Sequence, residues 1–552
     1  MPIQVREFHH TLLWPIQLRP LKREGHSKAI HFWDILKRNP GAWREVHDGL
    51  LIDDESCQVG YEEFVYFLPY VQRFLYGVGE EGHGAQSSLR IFQRDDIRQA
   101  RVHIKPGTAP LLLDISRMRL HFFYDLDTAL LTFQVSSRDL SLEQAGEILD
   151  RFGRPYPPAW EDFSGQAAHC CERVAFLDEN GNELTVSDYG DREKYIKLVR
   201  NARQTPLSAH WEYLMQPLVP AYKQGGTIKF YQIENKRIPI MTYLSFDEPR
   251  DLGRGDIIRL AFAARPGAPD SLPYSSGFLR DFESTYCYDR YWEQHNAASG
   301  MNTRYIFCGV AFTMLAKYQD ERGDLLRHFQ HQFYQIGLIA HFHKAALLNL
   351  SNRFSRAVER LNVRDPDSVK TFKRDVRETL EVFLRFNHRY WFHELSNQVQ
   401  ASDFFRCWSH QLGTDALYAE VREEAHDINQ YLDNDRTRKQ ADNAMRLTVV
   451  SACGMVGTIV TGFLGMNLYS HVELPSWTKL LIFLAVFIPT ILLALYTVAI
   501  SKRLATFMEA LSSETLTWQE KMTAFRQIWG ADKRDLVRNR RYGPGMSDHR
   551  SP

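Results

Sequence analysis

Two apolar runs near the C-terminus constrain this chain more than any other feature. Residues 447–464 form a run of about eighteen without a charge, and residues 480–500 one of about twenty-one. At 1.5 Å per residue, helices of these lengths reach about 27 and 32 Å, close to a hydrocarbon core of about 30 Å. A pair of buried core helices would be the alternative. Two such runs, about fifteen residues apart, instead have the pattern of a hairpin of membrane spans.

The rest of the 552 residues is different. Charged residues make up 24% of the chain and its formal net charge is zero. Most of it must therefore be soluble, long enough for more than one domain, and able to bury a core. Balanced charge argues against a nucleic-acid partner, which selects a basic face. The seven cysteines, with no CxxC pair, read as reduced thiols. The N-terminal twenty residues lack the apolar core and cleavage site of a signal peptide.

Residues 1–315 read as a mixed α/β domain. Segments 118–124 and 129–136 predict a hairpin around Asp125, Leu126 and Asp127. A second is predicted from 173–178 and 183–186, which flank Asn180-Gly181. Strands are also expected at 229–233 and 241–244, and helices at 142–152 and 192–203. From about 319 the pattern turns helical, with long segments expected at 319–361, 367–399 and 414–464. In the last, Leu417, Val421, Ala425, Ile428 and Leu432 make one apolar stripe. Proline and glycine are absent from Asp415 to Cys453, which suggests a stalk helix running straight into the first span, about 76 Å in all. The division is therefore 1–315 α/β domain, 316–446 long helices including the stalk, 447–467 first span, 468–479 external loop, 480–500 second span and 501–552 tail.

Charge sets the expected orientation. Arg436, Arg438, Lys439 and Arg446 precede the first span, and Lys502 and Arg503 follow the second. The loop between carries Lys479 opposed by Glu473. Positive flanks favour the inside, so both termini and the α/β domain are expected in the cytoplasm of a multi-pass protein of the cell membrane (the inner membrane if bacterial). Tyr469 and Trp477 suit the outer lipid interface. The basic end of the tail, 533–544, suits anionic headgroups or plain solvent.

The first span is rich in small and hydroxyl residues. Counting back from Asn467, Gly462, Thr458, Met455, Ser451 and Leu447 follow at steps of five, four, three, four and four, roughly one helix face. Such a face lines a pore or, as with Gly454, Gly457 and Thr461, packs helix on helix. The run closes on Gly465-Met466-Asn467. Here the sequence resembles the CorA family of magnesium and divalent-cation transport proteins, which has two C-terminal spans and a Gly-Met-Asn signature ending the first. The family's Met-Pro-Glu-Leu loop reads His471, Val472, Glu473 and Leu474 here, so only its second half matches. Leu464, Val456 and Ala444 replace a common aromatic, proline and methionine.

The resemblance implies a CorA-like, funnel-shaped homopentamer, an α/β cytoplasmic domain followed by long stalk helices and two C-terminal transmembrane helices. It implies a selectivity filter at Gly465, Met466 and Asn467, with Asn467 holding a hydrated ion. Pore-lining positions are Gly462, Thr458, Met455, Ser451 and Leu447, and Glu473 and Leu474 lie in the outer loop. Mg2+ is the expected cargo and a possible regulator, with Asp403, Glu420, Glu424 and Asp427 as candidate regulatory acids. The expected partners are further copies of the chain, lipid and divalent cations. Zinc, cobalt or nickel transport, or a membrane-anchored sensor with a non-conducting pore, are the alternatives. No enzyme motif is present. Gly77 to Gly82 fits GxGxxG, but Glu80 and Glu81 would face any phosphate. His328, His331, His341 and His343 pose a zinc site against simple packing.

Overall fold

The structure is a computed structural model. It describes residues 3–19, 31–46, 57–77, 88–124, 126–161, 165–234, 237–268, 271–292, 302–318, 323–362 and 364–468, with scattered positions from 477 to 496. Within stretches of the helix Thr414–Leu468 only the backbone is described. The GxGxxG residues after Gly77, the outer loop with Glu473 and Leu474, and the tail lie outside the described residues. Two compact units divide the chain, Met1–Ala425 and His426–Pro552.

The first unit is organised by a mixed sheet with fourteen strands among the described residues. Its spatial order runs Cys287–Tyr288, Arg304–Cys308, Ala311–Lys317, Ile240–Phe246, Gln4–Leu18, Thr128–Ser141, Leu111–Phe123, Gln99–His103, Arg173–Leu177, Glu183–Val186. Both expected hairpins form. Thr128–Ser141 pairs antiparallel with Leu111–Phe123, and Arg173–Leu177 with Glu183–Val186. At the second turn Gly181 adopts φ +77°, which a Cβ would disfavour. The Asp178 carboxylate accepts the Asn180 and Asn182 N–H groups, both at 2.8 Å. The helices Leu142–Arg151 and Arg192–Ala202 fall where the pattern puts them. The first is closed by a capping box between Ser141 and Gln144.

The central strand, Gln4–Leu18, comes from a segment that sequence reading treats only as lacking a signal peptide. Its even positions Phe8, Leu12, Trp14 and Ile16 enter the main apolar core. Gln17, of opposite parity, meets Asn349 of the helix Tyr334–Glu359 at 2.6 Å. Both faces are covered, so no polar–apolar alternation betrays the strand. Pro15 is tolerated because of where it sits. The strand pairs Ile240–Phe246 through residues 7–12 and Lys229–Gln232 through 16–18. Leu13 donates its N–H to Pro239 on that side, so the nitrogen of Pro15, two residues on, faces the gap between the two partners.

The helical part also departs from expectation. The segment expected at 319–361 is described as Asp324–His328, a π-turn Phe329–Phe333, and Tyr334–Glu359. The segment expected to reach 399 ends at Arg389, and a further helix runs Val399–Leu412. The chain leaves the helix to bury Tyr390, Phe392 and Leu395. Tyr390 then donates its hydroxyl to the Tyr124 carbonyl at 2.9 Å. Gly337 is where Tyr334–Glu359 comes closest to its neighbours. A Cβ there would fall 2.7 Å from both Met241 Sδ and Trp408 Cη2.

Candidate functional site

The site is built on the helix Thr414–Leu468, 55 residues long. Gly413 ends the preceding helix at φ +66°, and the buried Thr414 hydroxyl bonds the Ser409 carbonyl at 3.2 Å. Aromatic packing fixes its base. The Tyr418 ring stacks on Trp391 with centroids 4.4 Å apart, and its hydroxyl bonds Asn387 Oδ1 at 2.5 Å. Sequence reading did not single out this contact, because an aromatic at 391 and another at 418 make no motif. The expected apolar stripe is present: Val421, Ala425 and Leu432 are buried, and Leu417 and Ile428 half-buried. Further along, Arg436 pairs with Asp433 at 3.4 Å and Lys439 with Asp435 at 3.1 Å. These are exposed pairs one turn apart, each worth a few tenths of a kcal/mol.

Beyond Arg446 the described side chains change character. Leu447 is 69% exposed and Met455 68%, and Ser451, Thr458, Gly462 and Gly465 are exposed as well. With 3.6 residues per turn, positions 447, 451, 455, 458 and 462 span an arc of about 80°. These two large apolar side chains have no cover among the described residues. A Cβ on Gly454, Gly462 or Gly465 would meet nothing within 4 Å among the described residues. Packing among the described residues therefore does not require those glycines.

The threonines of this stretch dispose of their protons internally. Thr458 donates to the Gly454 carbonyl, Thr461 to Gly457 and Thr448 to Ala444, each at 2.9 Å. Such back-bonding lets a hydroxyl live in an apolar medium. It also leaves the Thr458 oxygen with lone pairs facing outward, able to accept from the waters of a cation or to bind it directly.

Asn467 stands apart from this arc. The helix continues to Leu468, so the five-residue step from Gly462 turns Asn467 about 140° around the axis. Helix geometry puts Leu447 to Gly462 within one arc and Asn467 outside it. Asn467 lies in the last turn of the helix. The side chains of Met466 and Asn467 lie outside the described set.

Among the described residues no helix is long and apolar enough to cross a membrane. That statement does not take in the side chains of Val449, Ala452, Cys453, Val456, Ile459, Val460, Phe463 and Leu464, which are outside the set. In the second run, Leu480, Leu481, Leu484, Phe487, Ile488 and Leu492 are helical and exposed.

The proposed metal ligands elsewhere do not converge. No cluster of three or more His, Cys, Asp or Glu side chains is poised for a metal among the described residues. His341 and His343 are buried, and burial holds both far below the usual imidazole range, at about 3. His343 Nε2 meets the Tyr390 carbonyl at 2.5 Å, which fixes it as a packing residue. His331 Nδ1 meets buried Glu63 at 2.7 Å, and His328 meets Gln332 at 3.2 Å. Of the candidate regulatory acids, Asp403 accepts from Tyr288 at 3.2 Å, and Glu420 and Asp427 are exposed. Burial raises the carboxyl of Glu424, with Glu420 adding to the effect against a hydrogen bond from Ser351.

Comparison with known families decides the class. Residues 370–503 match the family model described as CorA-like Mg2+ transporter protein. This part of the chain is similar to the CorA-like family. The match runs from within the helix Pro366–Arg389 through both apolar runs. It reaches back well before Gly465-Met466-Asn467 and so includes Trp391 and Tyr418 at the base of the long helix. It leaves the sheet outside. By that description the family is one of Mg2+ transporters. No curated protein matches the chain.

Proposed function

We propose that the chain forms an oligomeric, Mg2+-conducting channel whose pore is lined by the 447–467 stretch. The observation that carries this reading is the bare arc from Leu447 to Gly462, lying inside the family match. One chain has two apolar runs and cannot enclose a hole. Copies arranged around an axis would cover Leu447 and Met455, bare among the described residues, and the family resemblance supports five of them. Positive flanks place both termini and the sheet in the cytoplasm, with lipid around the second run.

Mg2+ gives up its water reluctantly and prefers hard oxygen ligands. The path suits a hydrated ion. Asn467 amides at the outer mouth, beside Gly465 and Met466, hydrogen-bond its water shell. The Thr458 oxygen and the Gly462 carbonyl carry it onward past Ser451. Rings of Met455 and Leu447 narrow the path and close it by dewetting. The membrane potential drives entry, at about 2.3 kcal/mol per charge per 100 mV.

The test is ion uptake into liposomes holding the full-length protein, with Mg2+, Zn2+, Co2+ and Ni2+ compared and oligomer size measured alongside. Wild type should pass Mg2+ best, and correctly assembled Asn467→Ala should lose at least ten-fold of that flux. Preference for Zn2+, Co2+ or Ni2+ would reassign the cargo. Full flux in Asn467→Ala would remove the amide ring from the mechanism. No flux from assembled wild type would leave a sensor.

A further inference from the structure

A second site lies in the sheet unit, within the 1–425 region. A cavity of about 470 Å³ opens between the helices Leu142–Arg151 and Arg254–Ala261 and the coil that follows the latter. Ile3, Leu142, Leu260, Ala264 and Pro266 give it an apolar wall. Arg259 lines it and is only 7% exposed. Its Nη2 donates to the Ser271 carbonyl at 2.7 Å, while its buried Nη1 has no hydrogen-bond partner among the described residues. Asp256, one turn earlier on the same helix, also lines the cavity, yet no ion pair joins the two among the described residues.

A buried guanidinium without a carboxylate is costly, because its charge is desolvated and uncompensated. The fork of Arg259 matches the two oxygens of a carboxylate or phosphate. The backbone keeps the cavity clear. A Cβ on Gly267 would lie 3.0 Å from Arg259 Nη2, and one on Gly146 would lie 2.9 Å from Pro266 Cγ. Glycine at 267 leaves room beside the guanidinium, and glycine at 146 lets the helix come close to Pro266.

We propose that this cavity binds a small oxyanion-bearing molecule. A carboxylate or phosphate seats on Arg259, and a short apolar part lies against Ile3, Leu142 and Leu260. The site is separate from the ion pathway and does not depend on that reading.

Isothermal titration of the full-length protein in detergent tests it. The probes are inorganic phosphate and butyrate, with chloride at matched ionic strength as the control. Saturable binding near one per chain, for phosphate or for butyrate, identifies which oxyanion the site takes. Arg259→Met should weaken that binding at least ten-fold while leaving oligomer size unchanged. Should Arg259→Met fail to assemble, Arg259→Lys keeps the charge but loses the fork, and should still weaken binding several-fold. Heat no greater than chloride gives, or equal binding by wild type and the assembled variant, overturns the proposal.

Discussion

At the scale of single residues, the proposed ion path depends on side chains that the described residues leave uncovered. Leu447→Ser and Met455→Ser each place a hydroxyl where an apolar ring should exclude water. Basal Mg2+ leak into liposomes should rise several-fold in assembled protein, and unchanged leak would place these side chains against lipid instead. The buried histidines govern a different property. Burial pushes His10, His121, His210, His341 and His343 from the ordinary 6.5 down to about 3, and His9 to about 4. The unfolded chain takes up protons near pH 6.5 that the folded chain refuses until near 3 to 4. Their stability contribution is therefore full above 6.5 and is lost as pH falls below it, at up to about 1.4 kcal/mol per pH unit for each group. Thermal unfolding of the full-length protein should move down by several degrees between pH 7 and pH 5.5. A midpoint indifferent to this change would mean that these imidazoles can be protonated in place.

At the scale of elements, what the sequence shows depends on how many faces an element buries. The Asn180-Gly181 hairpin is legible because turn chemistry is local, and the apolar stripe from Leu417 to Leu432 because one side of that helix meets water. Gln4–Leu18 is not legible: covered on both faces, it carries neither alternation nor helical period, and Pro15 argues against a central strand until the change of partner beside it is known. The helix Val399–Leu412 is missed for a related reason, since the break before it exists to bury Tyr390, Phe392 and Leu395. The proposed ion path rests on Gly465-Met466-Asn467 and the small-residue face, both local in sequence. The Arg259 cavity is not legible, because residues 3, 142, 259 and 266 meet only through the fold. Close approach gives a test here. Gly337→Ala adds a methyl 2.7 Å from Met241 Sδ and Trp408 Cη2. Overpacking of this kind costs about 1–3 kcal/mol, more than the helix propensity that alanine gains, about 1 kcal/mol. The unfolding temperature should fall by a few degrees, and a rise would show that the Trp408 ring yields freely.

At the scale of the whole molecule, the sheet and the ion path are parts of one chain with different relations to known proteins. The family match covers 370–503, and the sheet strands, which end at Lys317, lie outside it. What both parts share is the 55-residue helix from Thr414 to Leu468, which carries the aromatic base at one end and the bare arc at the other. A helix without a break keeps angular phase along its length. One extra residue between 436 and 446 would advance everything after it by about 1.5 Å and swing it through about 100°, turning Leu447, Met455 and Thr458 off their common bearing. Seven extra residues would lengthen the rod by about 10.5 Å but return the bearing to within about 20°. Mg2+ uptake should therefore collapse with a one-alanine insertion and recover in good part with seven, although seven is the larger change. Equal loss from both would show that the length of this rod matters and its phase does not. A periodic response would make the helix a clock hand, whose reading at the outer end is set by where its base is pinned.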